Sequence, residues 1–175
     1  MEARLRERLE QIRLFLCDVD GILTEAEVWM GAVDELKRFH IQDGLGLRLL
    51  QREGIQVGWI SNRPSFATAA RANDLKIDYL EQAHDGNKVA GVERLLAKTG
   101  LNWNEVSYMG DDIVDLGVLK RAGFAAAVPG AIEEAKAMSH YITEKRGGHG
   151  AVREVVEMIL KAQGRWDKLV AEFSQ

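Results

Sequence analysis

Short apolar runs alternate with amphipathic segments along most of this chain. Runs of this length, rich in aliphatic residues, predict buried strands of a parallel sheet, here over 12–17, 55–60, 77–80, 106–109, 124–128 and 141–142. The segments between them predict helices over 2–11, 43–51, 64–73, 87–98, 112–121, 131–138 and 151–163. Because strands that alternate with helices imply right-handed crossovers, we predict an α/β fold. Its Rossmann-like, mainly parallel sheet carries helices on both faces.

The segment 25–40 departs from this alternation. Val28, Trp29 and Met30 precede the turn signal at 31–34, and further apolar residues follow it. Two apolar segments around a turn predict an inserted β-hairpin. Because an isolated hairpin is marginal in water, we expect Trp29 and Met30 to cover either the domain's own core or another subunit.

Length and composition indicate one ordinary globular domain. The chain has 175 residues, of which 46% are hydrophobic and 29% are charged, so we expect a single domain over 1–175 with no large cap. Its formal net charge is −4, and no basic block interleaved with aromatic residues occurs. This pattern argues against a nucleic-acid partner.

Cysteine and hydropathy restrict the cellular setting. The single cysteine, Cys17, excludes an intrachain disulfide and is expected to be a buried structural thiol. We find neither an apolar signal core nor a run of membrane-spanning length. A cytoplasmic protein without a membrane partner is therefore the prediction.

Polar side chains follow the first predicted strand. Asp18 and Asp20 stand two residues apart, just before Gly21, so in an extended chain they point to the same side. Chemistry in open α/β sheets gathers at the carboxyl ends of strands, where two carboxylates repel each other without a cation or a shared proton. The segment indicates a metal site, a proton-transfer role or both, although a polar turn is the simpler alternative.

Three further groups are predicted at the same edge of the sheet. Ser61 and Asn62 follow the strand 55–60 and could bind an anion or merely cap a helix. Lys88 opens a helix, where the helix dipole disfavours a cation unless it faces an anion. A second acidic group, Gly110-Asp111-Asp112-x-x-Asp115, follows the strand 106–109, although Asp112 and Asp115 could also be helix caps. Oxygen ligands of this kind suit Mg²⁺.

This succession of Asp-x-Asp, Ser, Lys and Gly-Asp-Asp-x-x-Asp resembles the haloacid dehalogenase superfamily of phosphotransferases over nearly the whole chain. The resemblance implies a phosphatase in which Asp18 is the nucleophile that forms an aspartyl-phosphate. Asp20 would be the general acid and base, while Ser61, Asn62 and Lys88 would hold the phosphoryl group. The implied Mg²⁺ ligands are Asp18, the Asp20 carbonyl and Asp111, with Asp112 supporting the metal's water shell.

Other segments resemble the small capless subclass that includes 3-deoxy-D-manno-octulosonate 8-phosphate phosphatase. They are the stretch Phe39–Gly46 with its F-x-x-x-D-G-x-G pattern, the arginines Arg63 and Arg71, and the glycine-rich tail 147–154. The resemblance implies a homotetramer formed through the hairpin. It also implies a sugar acid phosphate bound by both arginines and by Gly147 and Gly148 from a neighbouring subunit.

Two departures leave the substrate open. Asn62 stands where this subclass often has glycine, and Gln42 where it frequently has arginine. A phosphatase for another nonulosonate, such as an N-acylneuraminate 9-phosphate, is therefore an alternative. A non-catalytic oligomerisation or regulatory domain would have lost catalytic residues, whereas all are intact here. A response-regulator-like receiver fits poorly with Asp20 and the hairpin.

Overall fold

The structure, a computed structural model, describes residues 3–31, 35–82 and 86–175. Its strands are β1 (Leu14–Cys17), β2 (Trp29–Met30), β3 (Glu35–Leu36), β4 (Gln56–Ser61), β5 (Tyr79–Gln82), β6 (Val106–Met109), β7 (Phe124–Ala127) and β8 (Tyr141–Ile142). Its helices are α1 (Ala3–Glu10), α2 (Ile41–Arg52), α3 (Phe66–Asp74), α4 (Lys88–Thr99), α5 (Leu116–Leu119), α6 (Glu133–Met138), α7 (Ala151–Ala162) and α8 (Trp166–Phe173). None of these helices is long and apolar enough to cross a membrane.

Six strands form one parallel sheet in the order β5-β4-β1-β6-β7-β8. The first strand of the chain is therefore central, with β4 on one side and β6 on the other. Every residue of β1 is buried, as expected for a strand with both faces covered. In register, Cys17 lies opposite Trp59 of β4 and Met109 of β6. Strands β1 and β6 consequently end level with each other, β4 continues for two more residues to Ser61, and the residues that follow the three strands lie at one edge of the sheet.

The helices pack in two groups: α7 contacts α1, α2 and α8, and α5 contacts α4 and α6. The apolar stripe of α7 is entirely buried: Val152, Val155, Val156, Ile159 and Leu160. Each such side chain stabilises the fold by about 1.5–3 kcal/mol relative to an exposed one. The predicted α/β class and the arrangement of helices around a parallel sheet are confirmed.

The inserted hairpin is formed by β2 and β3, which pair antiparallel with Trp29 opposite Leu36. Of the predicted turn at 31–34, residues 32–34 lie outside the described residues. Trp29, Met30 and Leu36 are 68%, 79% and 66% exposed, respectively. These side chains therefore do not cover the core of their own domain, which leaves the second expectation, a contact with another subunit.

Three helices differ from the sequence-based expectation. The helix predicted over 112–121 is a 3-10 turn, Ile113–Asp115, followed by the short α5, because Asp112 caps the turn before the chain becomes α-helical. Helix α2 begins at Ile41, and Asp43 does not cap it. Helix α8 was not predicted at all. It follows Gly164, whose left-handed φ of 69° ends α7, and it buries Leu169.

Candidate active site

Asp18 lies directly beyond β1, where a backbone hydrogen bond to β6 holds it. Its N–H donates to the Met109 carbonyl at 2.9 Å, which continues the β1–β6 pairing by one residue. The side chain is 10% exposed, and its Oδ1 accepts a hydrogen bond from the Val19 N–H at 2.7 Å. A carboxylate in this position is preorganised, since the strand fixes its backbone and a neighbouring N–H fixes its rotamer.

Lys88 brings a buried cation to Asp18. Its Nζ atom lies 2.9 Å from Asp18 Oδ1 and 2.7 Å from Asp115 Oδ1, and the residue is only 3% exposed. Lysine is almost never buried unless it is paired. Both carboxylates raise the pKa of Lys88 above its usual value although burial lowers it. The ammonium therefore stays charged, which matches the expectation that this helix-opening lysine faces anions.

Asp115 is the residue that organises this end of the site, and the sequence reasoning gave it no role beyond a possible helix cap. It is completely buried. Besides Lys88, its Oδ1 accepts from the Tyr108 hydroxyl at 2.5 Å. Its Oδ2 accepts from the backbone N–H groups of Asp111 and Asp112 at 3.0 and 3.2 Å. The third aspartate of Gly-Asp-Asp-x-x-Asp was the available signal, since its spacing returns it to the start of its own loop.

Three carboxylates converge where a cation would fit. Oxygen atoms of Asp18, Asp111 and Asp115 all lie within 4.8 Å of one another. Asp111 Oδ1 is buried, and no described residue donates a hydrogen bond to it. Burial, followed by repulsion from Asp18 and Asp115, raises the pKa of Asp111 to about 7. Burial and Asp115 likewise raise the pKa of Asp18. Carboxylates held together at this cost suit a hard divalent cation such as Mg²⁺.

Gly21 lets two strand tips approach each other closely. Its φ of +94° is left-handed, and a Cβ atom added to it would fall 2.0 Å from Asp111 Oδ2. No other residue type could occupy this position without moving Asp111 away. The glycine after Asp-x-Asp therefore serves the acidic cluster as well as the turn. Asp112, by contrast, is exposed and its carboxylate caps the following 3-10 turn.

Asp20 points to a different partner from Asp18. Both of its carboxylate oxygens contact Lys37 Nζ, at 2.7 and 2.9 Å, and its side chain is 24% exposed. Lys37 follows strand β3, so the inserted hairpin reaches into the site. The sequence reasoning missed this lysine because nothing in the spacing along the chain links residue 37 to the tip of β1.

Ser61 and Asn62 lie at the tip of β4, beside the tip of β1. The buried Ser61 hydroxyl accepts from the Arg63 N–H at 3.1 Å and lies 3.2 Å from the Arg63 carbonyl. Neither side-chain polar atom of Asn62 has a hydrogen-bond partner among the described residues, although both are buried. Since buried polar groups are normally paired, Asn62 is open to a ligand.

The two arginines point into different surroundings. Arg63 forms an ion pair with Glu35 of the hairpin, which leaves its buried Nη1 without a partner in the described part of the chain. Arg71 pairs with Asp74 and lies over α2, where a Cβ atom on Gly44 would fall 2.5 Å from Arg71 Nη2. Although the two arginines are eight residues apart in the chain, their guanidinium groups therefore do not contact the same described residue.

The Asp-Gly-x-Gly stretch in α2 has a structural role. Asp43 accepts hydrogen bonds from the N–H groups of Gly150 and Arg153, at 3.2 and 2.7 Å, and so caps α7 instead of α2. An anion at a helix N-terminus is favourable, although burial raises the pKa of Asp43. Gly44 makes room for Arg71, and Gly46 lies against Arg153 and Val156 of α7. This stretch therefore holds the glycine-rich tail in place.

That tail borders an open pocket. Gly148 N–H donates to the Ile22 carbonyl at 3.0 Å, and a Cβ atom on Gly147 would fall 1.8 Å from the Gly21 carbonyl oxygen. The segment thus packs against the loop of its own chain that follows Asp20. Beside it lies a pocket of about 370 Å³, whose lining includes Asp111, Gly147, Glu25, Arg146 and His149. Arg63 and Arg71 are not among the described residues that line it.

Comparisons with known proteins agree with this geometry. Residues 62–155 match the family of haloacid dehalogenase-like hydrolases. The 3-deoxy-D-manno-octulosonate 8-phosphate phosphatase of Yersinia pestis is 38% identical over 160 residues, which cover 91% of this chain and 85% of that protein. The protein of the same name from Escherichia coli strain B / BL21-DE3 is 36% identical over 169 residues, covering 96% and 89%.

A solved structure matches equally well. The 3-deoxy-D-manno-octulosonate 8-phosphate phosphatase of Moraxella catarrhalis, crystallised with a magnesium ion, a phosphate ion and a KDO molecule, superposes with a TM-score of 0.95. It is 39% identical, and the match covers 99% of each chain. The predicted superfamily and the prediction of a phosphatase are thereby confirmed. The chain belongs to the haloacid dehalogenase-like hydrolases and, within them, to the family of the 3-deoxy-D-manno-octulosonate 8-phosphate phosphatases.

Proposed function

We propose that this protein is a Mg²⁺-dependent phosphatase for 3-deoxy-D-manno-octulosonate 8-phosphate that works through an aspartyl-phosphate on Asp18. The observation that carries the proposal is the contact of Lys88 with Asp18 at 2.9 Å, beside Asp111 Oδ1, which accepts no hydrogen bond from any described residue. A carboxylate next to a fixed cation is suited to meet a phosphoryl group, whose negative charge would otherwise repel it. The relative from Moraxella catarrhalis, whose crystals hold Mg²⁺, phosphate and KDO, supports the choice of metal and substrate.

In the first step, an Asp18 carboxylate oxygen attacks phosphorus and the bond to the sugar oxygen breaks. Asp20 gives its proton to the departing alkoxide. Lys88, Ser61 and Asn62 hold the phosphoryl oxygens throughout. Asp18, the Asp20 carbonyl and Asp111 would hold Mg²⁺, with Asp112 supporting its water shell. The bound ion would supply charge neutralisation for the phosphoryl group.

In the second step, Asp20, now ionised, takes a proton from a water molecule. The hydroxide oxygen bonds to phosphorus, the bond to Asp18 breaks, and inorganic phosphate leaves. General acid–base catalysis contributes about 10²–10⁴-fold, whereas the full acceleration for phosphate monoesters can reach about 10²¹-fold. Prepositioned charges such as Lys88 must therefore supply much of the remainder.

The sugar acid is bound by its carboxylate in this proposal. Planar guanidinium groups recognise carboxylates through paired N–H donors, and both Arg63 Nη1 and Arg71 Nε are buried without a partner among the described residues. Gly147 lines the pocket beside Asp111, and Gly148 packs against Thr24 and Glu25 of the adjoining loop. We further propose a cytoplasmic homotetramer that buries the exposed Trp29 and Met30 of the hairpin.

The test is phosphate release from 3-deoxy-D-manno-octulosonate 8-phosphate and from a panel of other sugar phosphates, with Mg²⁺ and with a chelator. The panel includes N-acylneuraminate 9-phosphate, because Gln42 and Asn62 depart from the pattern of the subclass. We expect Mg²⁺-dependent hydrolysis with at least a hundredfold preference, about 2.7 kcal/mol of transition-state discrimination. Preference for another sugar phosphate would keep the mechanism and reject the substrate. Failure to hydrolyse any ester would reject the phosphatase itself.

A further inference from the structure

Lys37 is a fully buried charged side chain to which the proposed mechanism gives no task. Its side chain is 0% exposed. Its ammonium contacts both oxygens of Asp20, at 2.7 and 2.9 Å, and the Thr68 hydroxyl at 3.2 Å. Glu35 Oε1 lies 3.6 Å away. Three donors thus meet three close oxygen partners, which is the full capacity of an ammonium group.

We propose that Lys37 is a positioning residue, which holds the carboxylate of Asp20 in the orientation required for proton transfer to the leaving oxygen. This inference rests on the proposed function, in which Asp20 is the general acid. As a carboxylate, Asp20 is held by Lys37 through both oxygens and cannot rotate about its Cβ–Cγ bond without losing a contact. Once it carries a proton, its carbonyl oxygen still accepts from Lys37, so the protonated oxygen is the one turned toward the leaving group. Catalytic proton transfer depends on hydrogen-bond geometry before it depends on acidity, and small misplacements of a reacting group are costly.

Stability alone gives a poor account of this lysine. Removing an ammonium from water costs several kcal/mol, and replacing a buried ion pair with packed apolar residues is often neutral or stabilising. The partners of Lys37 also come from separate elements: Asp20 from the tip of β1, Thr68 from α3 and Glu35 from β3. Lys37 therefore connects the inserted hairpin to a catalytic side chain at the centre of the sheet.

The leaving group provides a test that distinguishes positioning from general damage. A sugar alkoxide needs a proton as it departs, whereas 4-nitrophenolate is stable without one. The parameter kcat/KM reports events up to the first irreversible step, so the second step, in which Asp20 acts on water, does not contribute. We expect Lys37→Met to lower kcat/KM by about a hundredfold for the preferred sugar phosphate. For 4-nitrophenyl phosphate we expect a decrease of less than about threefold.

Three further variants sharpen the experiment. Lys168→Met is the matched control, since that lysine is 72% exposed on α8, and it should leave both substrates unchanged. Thr68→Val keeps the shape of a buried side chain but removes one contact of Lys37, so it should give a smaller change of the same kind. In the double variant Asp20→Asn/Lys37→Met, kcat/KM for the sugar phosphate should be less than about twofold below that of Asp20→Asn alone. Both substitutions act through the same carboxylate, so their effects should not add.

Each outcome decides the matter. If Lys37→Met lowers kcat/KM equally for both esters, or for neither, Lys37 does not act through Asp20 and the inference is wrong. If circular dichroism shows that Lys37→Met is unfolded, Thr68→Val is tested with the same two esters instead. An equal decrease of kcat/KM for both esters would then overturn the inference. A wild-type protein that hydrolyses neither ester would overturn the proposed function and this inference together.

Discussion

Asp115 Oδ1 lies 2.7 Å from Lys88 Nζ, so the last aspartate of the second acidic group fixes the lysine of the site. Because Asp115 also accepts from Tyr108 and from two backbone N–H groups, its own position is set before any ligand arrives. The lysine is therefore aimed at Asp18 by the protein alone. This arrangement is the preorganised electrostatics that phosphoryl transfer requires.

Asp115→Asn tests this relationship. The change keeps the shape of a completely buried side chain but removes the charge that pairs with Lys88. Breaking a buried ion pair typically destabilises a protein by about 3–5 kcal/mol, so we expect a large decrease in the urea unfolding midpoint and lower kcat. Asp112→Asn, at an exposed position in the same loop, should change the unfolding free energy by less than about 1 kcal/mol. Equal stability losses in the two variants would contradict the role assigned to Asp115.

Asp18→Asn should abolish turnover while the protein remains folded. The amide retains the size of the side chain, but it cannot form the acyl phosphate, and we expect kcat to fall by more than about a thousandfold. Steady-state phosphate release gives the activity, and circular dichroism confirms the fold. Substantial residual turnover would show that the phosphoryl group is not transferred to residue 18.

The raised pKa of Asp111, about 7, predicts how stability depends on pH. An unfolded aspartate has a pKa of about 4, so between these values the folded protein binds more protons than the unfolded chain. Linkage then requires that the contribution of Asp111 to the free energy of unfolding decreases as pH rises from about 4 to 7.

Asp111→Asn isolates this contribution, because all other titrating groups are shared with the wild type. In the presence of a chelator, the free energy of unfolding of the variant should decrease less than that of the wild type over the same pH range. Saturating Mg²⁺ should make the free energy of unfolding of the wild type less dependent on pH. Urea titrations at a series of pH values measure both effects. Parallel curves for the two proteins in chelator would contradict the pKa assigned to Asp111.

Gly148 and Gly164 offer a matched pair for testing the glycine-rich tail. Their φ angles are nearly equal, 68° and 69°, so alanine introduces a similar backbone penalty of about 1 kcal/mol at each. Only at Gly148 would the new Cβ meet the loop after Asp20, 2.8 Å from the Thr24 carbonyl carbon. We expect Gly148→Ala to lower kcat/KM for the sugar acid phosphate and Gly164→Ala to leave it unchanged. Equal activities would mean that the tail does not shape the pocket.

The features that the sequence predicted best depend on short-range patterns. Strands β6 and β8 begin and end where predicted, because short apolar runs between turn residues define them locally. The meeting of Asp18 with Lys88 and Asp111 could also be anticipated, because carboxyl ends of parallel strands share one edge of a sheet.

The features that were missed depend on contacts between distant segments. Nothing near Lys37 in the chain indicates that the hairpin returns it to Asp20. Likewise, Asp43 has the position of a local helix cap, yet its partners are 107 and 110 residues away. Tertiary packing decided both outcomes, and single-sequence periodicity contains no information about it.

The long reach of Asp43 also bears on how the chain matures during synthesis. A nascent chain that ends before residue 153 has already made Asp18, Lys88 and Asp111, but it cannot provide the two N–H groups that Asp43 accepts from. Its Asp43 would then lack these two donors at a position that is buried in the folded protein, which opposes closure of the fold. We therefore expect the fold to close around Asp43 only after residues 150 and 153 have been synthesised.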